Sequence, residues 1–164
     1  MELKDIHIVK EMNNLSVLFE EILDSVSTDL EGNNIKVIKS LQSGLMVEYD
    51  IVYFKEAIQN IIKNAIEAMN NGGLLELSTE IIGKQVLIKI KDNGNGISKE
   101  NLKEVLTPFF STKKNIEKNY GLGLTNSYRI IQLHKGTLEI LSKMNEGTIV
   151  LIRIPKGITL TGAF

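Results

Sequence analysis

The 164-residue sequence contains no cysteine, which removes disulfides, thiolate catalysis and cysteine-ligated zinc and fits a reducing compartment. Two histidines are too few for a histidine-rich metal site. No apolar run approaches the roughly 18 residues that a membrane span needs, and the opening MELKDIHIVKEM puts charges where a signal peptide needs an apolar stretch. An excess of charge is also missing. With 19 Lys and Arg against 20 Asp and Glu the formal net charge is −1, which argues against nucleic acid as the main partner because phosphate binding needs a basic excess. What is present, 43% hydrophobic and 24% charged residues, suits one soluble domain with a proper core. Its expected location is the cytoplasm, free or as the cytoplasmic part of an anchored sensor, with no membrane contact by this chain.

Residues 1–13 mix charges and aliphatics without a period and read as a lead-in. From Asn14 onward Leu15, Leu18, Phe19, Ile22, Leu23 and Val26 follow the three/four spacing of an amphipathic helix, stopped by Glu-Gly-Asn-Asn at 31–34. Residues 35–39 and 45–49 read as two short strands around a turn at Gly44. Asp50 can cap the next helix, whose buried stripe is Phe54, Ile58, Ile61, Ile62, Ala65 and Met69 and which ends at Asn70-Asn71-Gly72-Gly73. Strands over 74–82 and 85–91 form a hairpin at Gly83-Lys84. Residues 92–120 hold a short helix near 98–105 but no sustained period, and so long an irregular stretch is usually functional. A helix over 123–134 and a hairpin of 137–142 with 147–154, turning at Asn145-Glu146-Gly147, complete the domain at Pro155. The interleaving predicts an α/β (α+β) two-layer sandwich, one mixed sheet with helices on one face.

Four segments look chemical. On the third helical stretch Asn60 and Asn64 lie four apart on one face, flanked by Glu56 and Glu67. Asn is a poor mid-helix residue because its amide competes for backbone groups. The strip is either a solvated face with two tolerated amides or a pair of carbonyl oxygens aimed at a hard cation such as Mg²⁺. Asp92-Asn-Gly94-Asn-Gly96-Ile97 follows a strand. It is either hairpin-turn chemistry or a tight turn that lets backbone approach a flat ligand, with Asp92 accepting from an exocyclic amine. Thr107-Pro-Phe-Phe110-Ser111-Thr112-Lys113-Lys114 is either core anchoring plus a charge run or the hinge of a loop whose Lys113 reaches a phosphate. Tyr120-Gly121-Leu122-Gly123-Leu124-Thr125 runs into a helix, where glycines let N–H groups face phosphate oxygens. It is neither a Walker loop nor the dinucleotide fingerprint.

The order of these segments within about 65 residues is more specific than any one of them. In that order the sequence resembles the ATP-binding catalytic domain of sensor histidine kinases, within the superfamily that includes gyrase, Hsp90 and MutL. NIIKNAIEA resembles the N box, DNGNG the first glycine box, PFFSTK the F box and GLGLT the second glycine box. The resemblance covers roughly 15–155, and the catalytic domain is expected over 14–156 with 157–164 as a tail. It implies the Bergerat fold, a mixed, mostly antiparallel sheet packed on three helices with ATP under a mobile lid. It further implies that Asn64 ligates Mg²⁺, Asn60 assists at the phosphates, and Asp92 binds the adenine amine in a pocket shaped by Gly94 and Gly96. Thr148 would support that aspartate, residues 111–120 would be the lid, and Lys113 would stand near the phosphates. Gly121 and Gly123 would form the lid's rear hinge. Ile97, Phe110, Ser111, Thr112, Tyr120, Leu122 and Leu124, within or beside these boxes, complete the expected nucleotide contacts.

Three departures bear on function. The second glycine box usually begins with one more glycine, where Asn119-Tyr120 stands here, so the hinge is stiffer or Tyr120 covers the nucleotide. Glu67 occupies the place of a common lysine and takes no phosphate role. Neither His7 nor His134 lies in a phosphoacceptor context, and both read as surface or half-buried structural residues. Where the superfamily's hydrolases carry a water-activating Glu, this chain has Asn60, and an amide cannot take a proton from water. The resemblance thus implies a kinase half that presents the γ-phosphate to a histidine on a separate dimerisation domain of a homodimer, with a response regulator downstream. The alternatives are a stand-alone serine kinase or anti-sigma-like regulator, and a nucleotide-binding adaptor without phosphotransfer.

Overall fold

In the computed structural model, which describes residues 5–104 and 121–157 (backbone only at 121–123), alternation of buried and less buried residues along most strands builds the sheet. Five strands, β2 (Ile35–Ser40), β4 (Gly73–Ile82), β5 (Gln85–Asp92), β6 (Thr137–Lys143) and β7 (Gly147–Pro155), lie in the order β2-β4-β5-β7-β6. β2 runs parallel to β4 and all other pairs are antiparallel. The parallel pair needs a crossover, and the chain between them supplies it with β3 (Met46–Tyr49) and helix α3 (Ile51–Glu67). Inward positions form apolar rows across neighbouring strands: Ile88, Ile152 and Leu138 make one, and Ile90, Val150 and Ile140 the next.

Helices α1 (Leu15–Ser25), α3 and α5 (Gly121–Leu133) carry the opposite side of the core. The expected stripes on α1 and α3 are buried, and each such aliphatic side chain contributes about 1.5–3 kcal/mol. The sheet-and-helix arrangement is the two-layer, mostly antiparallel one that the resemblance implies. Three local readings need correction. Residues 11–13, expected as lead-in, form strand β1 (Glu11–Asn14) together with Asn14, paired antiparallel with β3 in a separate two-stranded sheet. Consequently β2 and β3 flank the Gly44 turn (φ +69°) yet belong to different sheets. The first helix also breaks at Val26, and Ser27–Gly32 forms its own short helix α2. A second short helix, α4, spans Lys99–Glu104.

Asp50 is the knot of the helical layer. Its Oδ1 accepts the N–H groups of Val52 (3.0 Å) and Tyr53 (2.9 Å), capping α3, and its Oδ2 accepts from Val9 (2.7 Å). Burial alone would raise its carboxyl pKa, but these three N–H bonds bring it below the usual value. His134, at the end of α5, is not half-buried but fully so, 2% exposed. Its Nδ1–H donates to the Ile130 carbonyl (2.8 Å), which leaves Nε2 to accept the Asp50 N–H (3.0 Å), so the ring is held neutral.

Burial depresses the His134 pKa, with Lys10 adding to the effect and the Ile130 carbonyl and Asp50 opposing it. Between the folded and unfolded values the unfolded chain binds more protons, so stability falls as pH drops below about 6.5. Thermal melts are expected to move down between pH 7.5 and pH 5.5, and His134→Gln, which keeps an acceptor for Asp50, is expected to flatten that dependence.

Candidate nucleotide-binding site

The inward face of the sheet changes character at one end. The phase that buries Val86, Ile88 and Ile90 on β5 delivers Asp92 next, and the carboxylate is 6% exposed. Its register partner on β7 is Thr148, whose own partner on β6 is Ser142. Three adjacent strands thus end their apolar rows in a polar one, where packing has no use for a charge.

Asp92 Oδ1 accepts the Gly94 N–H (2.9 Å). Burial pushes the Asp92 carboxyl pKa up, and the N–H groups of Gly94 and Thr148 pull against it. The loop that follows is locked against protein. Asn95 donates from its N–H to the Ala68 carbonyl (3.0 Å) at the end of α3, and Asn145 N–H donates to the Asn95 carbonyl (2.7 Å). A Cβ at Gly94 would overlap the Ala68 carbonyl oxygen, and one at Gly96 (φ +73°) the Lys143 carbonyl oxygen. These glycines therefore let the loop seat against α3 and the β6–β7 turn, a close approach of backbone to backbone.

Above the polar row lies a pocket of about 400 Å³, counting its solvent-open space, lined by Asn64, Asp92, Ile97, Leu124 and Thr148 together with Ile61, Ala65, Ala68, Ile90, Ile140 and Val150. Helix α5 closes one side and is pinned to α3 by Ser127 Oγ, which donates to the Ala57 carbonyl (2.9 Å). The lining is apolar except at its ends, as flat-ligand sites tend to be. Asn64 Nδ2 is buried there with no hydrogen-bond partner among the described residues. An orphaned amide of this kind is free to meet a polar ligand group, and because amide O and N are interchangeable by a flip it can offer either a donor or an oxygen.

The pocket gathers five of the expected site residues: Asn64, Asp92, Ile97, Leu124 and Thr148. Asn60 sits one turn earlier on α3, half-buried and outside the lining, and Gly121, Leu122 and Gly123 form the first turn of α5. Phe110, Ser111, Thr112, Lys113 and Tyr120, with the rest of the expected lid, lie outside the described residues. Ser142 was not expected. Its Oγ accepts the Ile97 N–H (2.8 Å), donates to the Gly147 carbonyl (3.0 Å) and meets Thr148 Oγ1 at 2.7 Å. The alternation Leu138-x-Ile140-x-Ser142 was the signal that could have found it.

Known proteins with this arrangement are numerous. Sporulation kinase C of Bacillus subtilis is 40% identical over 141 residues, covering 82% of this chain and 32% of the relative. The chain spans about a third of the length of this and similar curated relatives, 28% of sporulation kinase D and 34% of sporulation kinase B from the same bacterium. Among solved structures, the nucleotide-free catalytic domain of the histidine kinase ThkA superposes with a TM-score of 0.80 at 27% identity, over 91% of this chain and 97% of that one. A complex of ThkA with the response regulator TrrA matches with a TM-score of 0.75 at 25% identity, over 90% of this chain and 42% of that one. Residues 49–158 match the family described as histidine kinase-, DNA gyrase B- and HSP90-like ATPases, which implies ATP binding. With two-thirds of its length matched and its fold in agreement, the chain belongs to that family.

Proposed function

We propose that residues 14–156 form the catalytic domain of a cytoplasmic, dimeric sensor histidine kinase. In this reading the domain binds Mg²⁺-ATP and presents the γ-phosphate to a histidine on a separate helical dimerisation domain, from which a response regulator takes it. One observation carries the reading: a buried carboxylate, Asp92, and an orphaned buried amide, Asn64, stand in a single apolar pocket. The apolar walls suit the purine, and Asp92 accepts from its exocyclic amine. Asn64 fits a metal-bound triphosphate, since Mg²⁺ takes few protein oxygens and keeps phosphates and water as its other ligands. When bound, that ion neutralises charge that develops on the transferred group. Asn60 and Lys113 steady the phosphates, residues 111–120 form the lid, and Gly121 and Gly123 form its rear hinge. Catalysis is then chiefly positioning. With an amide at position 60 no general base is present there to activate water, so the triphosphate survives until the nucleophile arrives.

Incubation with labelled Mg²⁺-ATP and a helical partner bearing a phosphoacceptor histidine tests the proposal. Acid-labile phosphate on that partner is the expected product. Acid-stable, alkali-labile phosphate would make it a serine kinase, and tight ATP binding with no transfer to any partner would make it an adaptor. In calorimetric titrations, Asn64→Ala is expected to lose about tenfold or more in ATP affinity with Mg²⁺ present and little in EDTA, the scale of a hydrogen bond or ligand to a charged group. Its melting temperature should not fall, because the replacement removes a buried atom that has no partner among the described residues.

A further inference from the structure

The proton count around Ser142 is closed. A hydroxyl has one proton and two lone pairs. The Gly147 carbonyl, 3.0 Å from Ser142 Oγ, can only accept, so the Ser142 proton goes there. The Ile97 N–H, at 2.8 Å, can only donate, so it fills one lone pair. Thr148 Oγ1, at 2.7 Å, must then be the donor of their contact and fills the second. The reverse choice would leave the Ser142 oxygen and the Gly147 carbonyl oxygen facing each other with no proton between them. Gly147 cannot turn its carbonyl away cheaply, for its φ of +120° and its contact with the Asp92 backbone fix the start of β7.

Thr148 therefore spends its only proton on Ser142 and turns lone pairs alone toward the pocket it lines with Asp92. We infer that Ser142 is a specificity-determining positioning residue: by fixing the direction of the Thr148 hydroxyl, it makes this end of the pocket accept only, so that a 6-aminopurine is taken and a 6-oxopurine refused. The inference rests on the nucleotide reading above and adds to it the residue that sets base choice. A 6-amino group brings two N–H donors to two acceptors, whereas a 6-oxo group in the same place sets oxygen against oxygen, its N1–H donor lying on the ring and not at the exocyclic position.

The test is calorimetric titration of the whole chain, folded by circular dichroism, with ATP and with inosine triphosphate, which differ in the 6-amino or 6-oxo group and in the proton that N1 carries only in the second. Ser142→Ala frees the Thr148 proton to rotate into the pocket, so the ATP-to-inosine-triphosphate affinity ratio is expected to shrink about fivefold, the scale of one neutral hydrogen bond. Ser142→Thr keeps the hydroxyl and is expected to hold the wild-type ratio. Should Ser142→Ala not fold, Thr148→Val removes the acceptor itself and is expected to narrow the ratio in the same direction. A ratio unchanged in the folded variant, including equal losses for both nucleotides, overturns the inference by reducing Ser142 to a structural strut. A folded wild-type chain that takes up neither nucleotide overturns the nucleotide reading itself, and the inference falls with it.

Discussion

Asp92→Asn is expected to lower ATP affinity about 100-fold while leaving the domain folded, and the reason lies in the hydrogen-bond inventory of one carboxylate. Oδ1 already accepts the Gly94 N–H, and the Thr148 N–H also favours the charged form. An ionised carboxylate can satisfy those groups and a ligand amine at once, because all its sites accept. An amide cannot. If its oxygen stays on Gly94, its NH₂ faces the ligand amine; if it flips, its NH₂ faces the Gly94 N–H. Either orientation sets donor against donor in a buried site, at a cost of about 2–3 kcal/mol, a factor of roughly 100 in affinity.

The fold gains from the same change. Burial raises the Asp92 pKa, so above the usual carboxylate value the folded chain holds a proton that the unfolded chain has released, and stability falls as pH rises through that window. Removing the charge removes that penalty. The expected pair of results at pH 7.5 is a strongly weakened titration and a melting temperature equal to or above wild type. Retention of wild-type affinity would remove Asp92 from the site.

Periodicity and capping made much of this fold legible. The α3 stripe, the Asp50 cap and the two hairpins all depend on residues close in sequence, and such patterns survive folding intact. What escaped detection depends on distant partners. β1 is four residues of mixed polarity, and it is a strand only because β3, some 35 residues later, offers a register. The neutrality of His134 likewise requires the Asp50 N–H, 84 residues away. Asp92 and Thr148 could be singled out as chemistry by resemblance, but what holds them in one row is strand register. Ser142 entered only when β6 and β7 were aligned, because a serine in an alternating strand is unexceptional until its neighbour across the sheet is known. The reading of the glycines shifted for a related reason. Their spacing suggested backbone open to a ligand, and their Cβ positions point instead at the carbonyls of Ala68 and Lys143.

Gly147→Ala is expected to lower stability by about 3–5 kcal/mol, and the cause is again strand register. At φ +120° an L side chain is strained by about 1–3 kcal/mol before any contact is considered. A Cβ there would overlap the Asp92 carbonyl oxygen and crowd Asp92 C and Asn93 Cα, all backbone atoms of the neighbouring strand end that cannot rotate aside. Forcing the strands apart would break the Asp92–Thr148 pairing and unseat both polar groups of the pocket. Gly44→Ala is the matched control. Its φ of +69° is also unfavourable, but a Cβ there would meet nothing within 4 Å, so only the strain of about 1 kcal/mol remains. For a domain of this size each kcal/mol moves the melting temperature by roughly 2–4 °C. The Gly147 variant should therefore melt about 10 °C or more below wild type and lose nucleotide binding in whatever fraction stays folded, while the Gly44 variant shifts by a few degrees and binds normally. Equal melting temperatures for the two variants would mean that β7 does not press against Asp92 as the backbone geometry requires.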